Sequence, residues 1–148
     1  MSLAEWRRFG WLAEHQATVA EVRDLLHVVD RDLADARVTA LSSDTRLRLA
    51  YNAALQSAAA ALAACGYRAV REGYHQRVIQ TLRFTLQVEP MLITRLERFR
   101  RMRHTGDYER AGMTSEEDAD SILVLAEEVS ARVRTWLKDS HPELTGKS

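Results

Sequence analysis

Four arginines crowd the segment Arg98, Arg100, Arg101 and Arg103, and His104, Asp107 and Tyr108 follow at once. A guanidinium is a planar fork that can bond two oxygens of one phosphate. An imidazole beside it can give and take a proton near neutral pH. The stretch from Leu92 to Tyr108 is therefore the first place to look for chemistry. Arg98, Arg100, Arg101, Arg103, Asp107 and Tyr108 form a candidate nucleic-acid- or phosphate-binding set. Arg103 and His104 form a candidate catalytic pair, with arginine stabilising charge on phosphate and histidine as general acid/base. A plainer role also fits, in which Arg103 pairs with Asp107 and ties the end of a helix to the next loop.

Leu92, Leu96, Phe99 and Arg103 share one helical stripe. The first three should face a core, so Arg103 continues that face and must pair or meet solvent, because an unpaired buried charge is costly. Arg100 and Arg101 fall off the stripe and read as solvated. Gly106 reads as the helix break. The formal net charge is zero over 148 residues, yet residues 67–110 hold ten Arg against five acids. A local excess of this kind attracts phosphate even on a neutral molecule, and it also suits an ordinary solvated helical face.

Other chemistries find little support. The five histidines, at 15, 27, 75, 104 and 141, include no pair three or four apart, and there is no HExxH. Neither a metal nor another cofactor is expected. No phosphate-cradling glycine loop and no GxSxG is present, and Cys65 is the single cysteine. It suits a small core residue in a reducing compartment. With no apolar run of 18 residues and no leader pattern, the expectation is a cytoplasmic chain without a membrane partner.

The elements that must position these residues are helical. Apolar residues make up 46% of the chain, with 2 Pro and 6 Gly, and Ala, Leu, Arg and Glu are abundant helix formers. Leu3, Trp6, Phe9, Trp11 and Leu12 suggest a short helix bent at Gly10, within an N-terminal extension over residues 1–16. Thr18 with Glu21 forms a capping-box pattern, opening a helix to about Arg37 with the stripe Val19, Val22, Leu26, Val29, Leu33 and Ala36. A third helix starts at Ser42-Ser43-Asp44 and runs to Cys65, with Gly66 in the left-handed position. Its stripe is Leu47, Tyr51, Ala54, Ala58, Ala61, Leu62 and Cys65, and Asn52 and Gln56 read as exposed. Residues 66–73 read as a loop. A shorter helix spans His75 to Leu86, Pro90 opens the next, and Thr114 with Glu117 caps a last helix to about Lys138. Residues 139–148 read as a flexible tail. The sum is one all-α domain over residues 1–148, an antiparallel four- to five-helix up-and-down bundle with no alternating β pattern.

Between Leu47 and Leu137 the chain resembles the HEPN domains, named for higher eukaryotes and prokaryotes nucleotide-binding. The likeness rests on the segment AYNAALQSAAAALAACGY, on His75 opening the next helix, and on Arg103-His104-Thr105-Gly106-Asp107-Tyr108, which is similar to the R-x-x-x-D-Y form of one branch of small bacterial HEPN proteins. Ala126-Glu127-Glu128 in the last helix is similar too. The resemblance implies a HEPN-like bundle that forms a homodimer, with the arginine motif lining a groove between subunits. It implies binding of RNA, a nucleotide or a partner protein, such as a nucleotidyltransferase-like one, within a toxin–antitoxin or defence system. Active members are metal-independent endoribonucleases whose motif is Arg, four to six residues, then His. Aligned on Arg103, Tyr108 stands where that His is expected. Aligned on Arg98, His104 satisfies the spacing, but the two lie on one helix about 120° apart. The Asp-Tyr match favours the first register. A scaffold dimer without ligand is the remaining alternative.

Overall fold

The alanine-rich helix is the axis on which the other helices pack, because its small side chains let neighbours approach from every side. The computed structural model describes residues 1–108 and 114–146, with the backbone alone for residues 104–108. In chain order the elements are α1 (Leu3–Arg8), β1 (Leu12–Glu14), α2 (Val19–Ala36), α3 (Ser43–Ala64), β2 (Tyr67–Ala69), α4 (Tyr74–Thr85), α5 (Pro90–Tyr108) and α6 (Glu116–Ser140), followed by a 3-10 turn, Pro142–Leu144. Among the described residues the protein is all-α apart from one small strand pair. Helix α3 touches α2, α4, α5 and α6. Its burial is wider than the single stripe read from the sequence. Ala50, Ala53, Leu55, Ser57, Ala60 and Ala63 are buried as well, as expected for a helix apolar on most of its circumference.

The helix ends follow local chemistry. Ser42 Oγ accepts from the Thr45 N–H at 3.2 Å and starts α3. Gly66 closes it with φ +93°, a conformation that favours glycine. Thr18 Oγ1 accepts from the Glu21 N–H at 3.1 Å and starts α2. The reciprocal half of that capping box is missing, because the Glu21 carboxylate bonds His15 Nε2 at 2.7 and 2.8 Å instead. Helix α6 starts one residue later than Thr114 suggests. Ser115 and Asp118 form the capping box, with Ser115 Oγ accepting from the Asp118 N–H at 3.0 Å.

Three further readings are corrected. Residues 67–69, read as loop, pair antiparallel with residues 12–14, Leu12 opposite Ala69. Three-residue strands are too short to show alternation, so the sequence carries no sign of them. Gly106 does not end α5, which continues to Tyr108; a glycine inside a helix costs only about 1 kcal/mol against alanine and need not break it. Asn52 and Gln56 are half-buried rather than exposed. Asn52 Nδ2 donates to Asp32 Oδ2 at 2.6 Å, and Gln56 Nε2 donates to Asn52 Oδ1 at 3.3 Å.

The core joins Val22, Val29 and Leu33 of α2, Leu47 and Leu62 of α3, Ile79 and Leu82 of α4, Leu96 and Phe99 of α5, and Ile122, Leu125 and Leu137 of α6. Arg46 is buried within it. Its Nε donates to the Ala36 carbonyl at 2.8 Å and its Nη2 to Asp120 at 2.9 Å, so one guanidinium joins α2, α3 and α6. Among the described residues no helix is long and apolar enough to cross a membrane.

Candidate functional site

Helix α5 presents its arginines because of how it is anchored. Leu92, Leu96 and Phe99 are all at most 2% exposed, and Arg103 is the next residue on that face. It is half-buried, and its guanidinium carbon lies 5.8 Å from the centre of the Tyr51 ring. The stripe read from the sequence thus delivers Arg103 to the side of α3. Arg100 departs from its reading as a solvated residue. It is half-buried and donates through Nε and Nη2 to Glu97 Oε2 at 3.0 and 2.9 Å, the spacing at which helical neighbours meet. Arg101 is exposed. Arg98 is exposed as well, with Asp118 3.7 Å away. The side chains of His104, Asp107 and Tyr108 lie outside the described residues, and with them the Arg103–Asp107 pair. Since α5 is unbroken, Arg98 and His104 do stand on one helix.

The sequence reading of the site missed three residues. Tyr51 of α3 is fully buried, and its hydroxyl is 3.1 Å from His75 Nδ1. The two rings stack, with centres 5.7 Å apart and planes 26° from parallel. His75 is half-buried in the first turn of α4. That helix opens after Gly73 at φ +67°, where the left-handed turn delivers the chain into the helix without a side-chain cap. Tyr74 meets the His75 ring edge-on at 6.1 Å. The third residue is Glu97. Its side chain is 12% exposed; Oε2 takes Arg100, and Oε1 is buried with no hydrogen-bond partner. One signal was available for Tyr51: a phenol in an alanine stripe brings a hydroxyl that needs a partner. Glu97 is the sole acid between Glu89 and Asp107.

Electrostatics ties the five groups together. Burial pushes the Tyr51 hydroxyl pKa up, Arg100 and Arg103 pull it down, and Glu97 pushes it up again. Burial holds His75 below the ordinary histidine value, and Arg103 and then Arg100 hold it lower still. The imidazole is therefore neutral at neutral pH, and two guanidinium charges act on the same tyrosine–histidine pair.

An open cavity of the described residues lies elsewhere. It measures about 560 Å³ and is lined by Glu14, His15, Cys65, Tyr67 and Glu143 among others. Its one basic group, His15, is held by Glu21, so it suits phosphate poorly. Among the described residues no three His, Cys, Asp or Glu side chains gather as a metal site requires. Compared with family models, curated proteins and solved structures, the chain matches none.

Proposed function

We propose that this chain is a HEPN-like helical domain that binds a phosphate-bearing ligand, RNA foremost, where α3, α4 and α5 meet. One observation carries the reading: the Arg103 guanidinium carbon lies 5.8 Å from the centre of the Tyr51 ring, whose hydroxyl is 3.1 Å from His75 Nδ1, and Arg100 stands on the same helix. Arg98 and Arg101 extend positive charge along the exposed side of α5 and suit a polyanion longer than one phosphate. The test is RNA binding as a function of salt. Affinity should fall steeply as salt rises, and Arg103→Ala should weaken binding across sequences and flatten the salt slope by about one. Binding to Arg103→Ala as tight as to the unaltered protein would remove this site from the reading.

A second reading, a metal-independent endoribonuclease, draws support from His75. A neutral imidazole beside a guanidinium is what acid–base cleavage of a phosphodiester needs. Incubation with total RNA in EDTA separates the two readings. Cleavage lost in both Arg103→Ala and His104→Ala would favour the enzyme, with His104 as its acid/base. Cleavage lost in His75→Ala and kept in His104→Ala would move that role to His75. Intact RNA with salt-sensitive binding favours the binding domain. The same resemblance supports a homodimer, a nucleotidyltransferase-like partner and a toxin–antitoxin or defence setting. Sedimentation and the neighbouring genes test these.

A further inference from the structure

The single hydrogen bond between Tyr51 and His75 can be made in two ways. The tyrosine can donate to Nδ1, or an Nδ1–H can donate to the tyrosine oxygen. Tyr51 is fully buried. In the second arrangement its own O–H would be left in the core without an acceptor, at the cost of an unmade buried bond. The first arrangement satisfies both groups. It also places the imidazole proton on Nε2, the nitrogen on the far side of the ring from Tyr51.

We infer that His75 is a ligand-facing donor of this site, locked by Tyr51 with its proton on Nε2, and that anion binding there takes up a proton on His75. The inference rests on the phosphate-binding reading above. The groups that act on His75 are Tyr51 of α3, Tyr74 of its own helix, and Arg100 and Arg103 of α5; Glu97 of α5 acts on Tyr51. In the empty site the two arginines oppose a third positive charge. A bound anion cancels that opposition, so the imidazolium becomes favourable once the ligand is present. The proton comes from solvent and adds at Nδ1. Tyr51 then turns from donor to acceptor in the same bond. Its own O–H then loses its acceptor, so the imidazolium forms only where a bound anion outweighs that cost. Tyr51 is thus a positioning residue and His75 the group whose charge follows occupancy.

The experiment uses ¹⁵N-labelled protein. Long-range ¹H–¹⁵N spectra of the His75 ring report its tautomer and its titration, first alone, then with sulfate, then with a short oligouridylate. Neither probe changes charge over the range used, so any proton taken up belongs to the protein. The expected results are an Nε2–H tautomer in the free protein and an upward shift of the His75 titration with either probe. At constant ionic strength the oligouridylate should bind about three- to tenfold tighter near pH ~5.5 than near pH ~7.5. His75→Gln, whose side chain takes up no proton in this range, should lose that pH dependence. Tyr51→Phe should leave a mixture of tautomers. An Nδ1–H tautomer in the free protein overturns the inference. So does a pH dependence that His75→Gln leaves intact, even if Arg103→Gln abolishes binding and the phosphate reading stands. Absence of binding by either probe at every pH overturns both together.

Discussion

Asp32 is an acid with 2% of its surface exposed, and its partners explain why it can be there. Asn52 Nδ2 donates to one oxygen at 2.6 Å and Arg31 Nε to the other at 3.1 Å. Removing the carboxylate orphans the Asn52 amide. Asp32→Ala should therefore lower unfolding stability by about 1–3 kcal/mol, read from urea denaturation. The double change with Asn52→Ala should cost less than the two singles added, and strict additivity would mean that the pair is not coupled. The Tyr51–His75 pair makes a pH prediction of each sign. An unfolded phenol ionises near ~10 while buried Tyr51 resists. The unfolded chain thus releases the proton first, and stability falls as pH rises through that value. Unfolded histidine takes a proton as pH falls through about 6.5, while folded His75 takes it lower. Stability therefore falls as pH drops below that point, until His75 itself is charged. Tyr51→Phe should flatten the alkaline limb and His75→Gln the acid limb of a stability–pH profile. Both limbs unchanged would show that the two rings titrate as in the unfolded chain.

At the scale of the element, the helices were legible because amphipathic stripes and caps are local. Leu92, Leu96 and Phe99 are buried as their spacing implied, and Ser42 and Thr18 cap where their side chains said they would. The choice between Thr114 and Ser115 was not legible. Thr114-x-x-Glu117 and Ser115-x-x-Asp118 carry the same signature one residue apart, and tertiary placement decides between them. Ser115 is the N-cap, whereas Thr114 offers its backbone N–H to Asp44 at 3.3 Å. Ser115→Ala should cost about 1 kcal/mol and Thr114→Ala less than about 0.5 kcal/mol; thermal unfolding that ranks them the other way would move the cap. Ala58, 1% exposed on α3, tests the close approach of the helices. A leucine there should overpack the contact and lower stability by about 1–3 kcal/mol, and a neutral outcome would mean that the core around α3 has room to spare.

Across the whole molecule, what the sequence hid is long-range. Tyr51, His75 and Glu97 come from three helices, and no local spacing reports that they meet. The same holds for the strand pair that ties residues 12–14 to residues 67–69. The N-terminal segment is built into the body of the protein by that pair and by its aromatics. Trp6 is 4% exposed. It packs edge-on against Trp11 at 5.3 Å and Phe84 at 5.2 Å. The Arg77 guanidinium sits 3.7 Å from the Trp11 ring centre and 5.8 Å from that of Trp6, so the segment clasps α4 two residues beyond His75. If this packing is part of the one cooperative core, Trp6→Ala leaves a large void and should cost about 3–5 kcal/mol. The loss should appear as one shifted unfolding transition, seen alike by helix circular dichroism and by the fluorescence of Trp136 in a Trp6→Ala, Trp11→Phe background. The His75 ring resonances should broaden in the same variant, since the start of α4 loses its brace. A helical transition with an unchanged midpoint would instead mean that residues 3–14 fold onto a body already stable without them, and that the site needs only α3, α4 and α5.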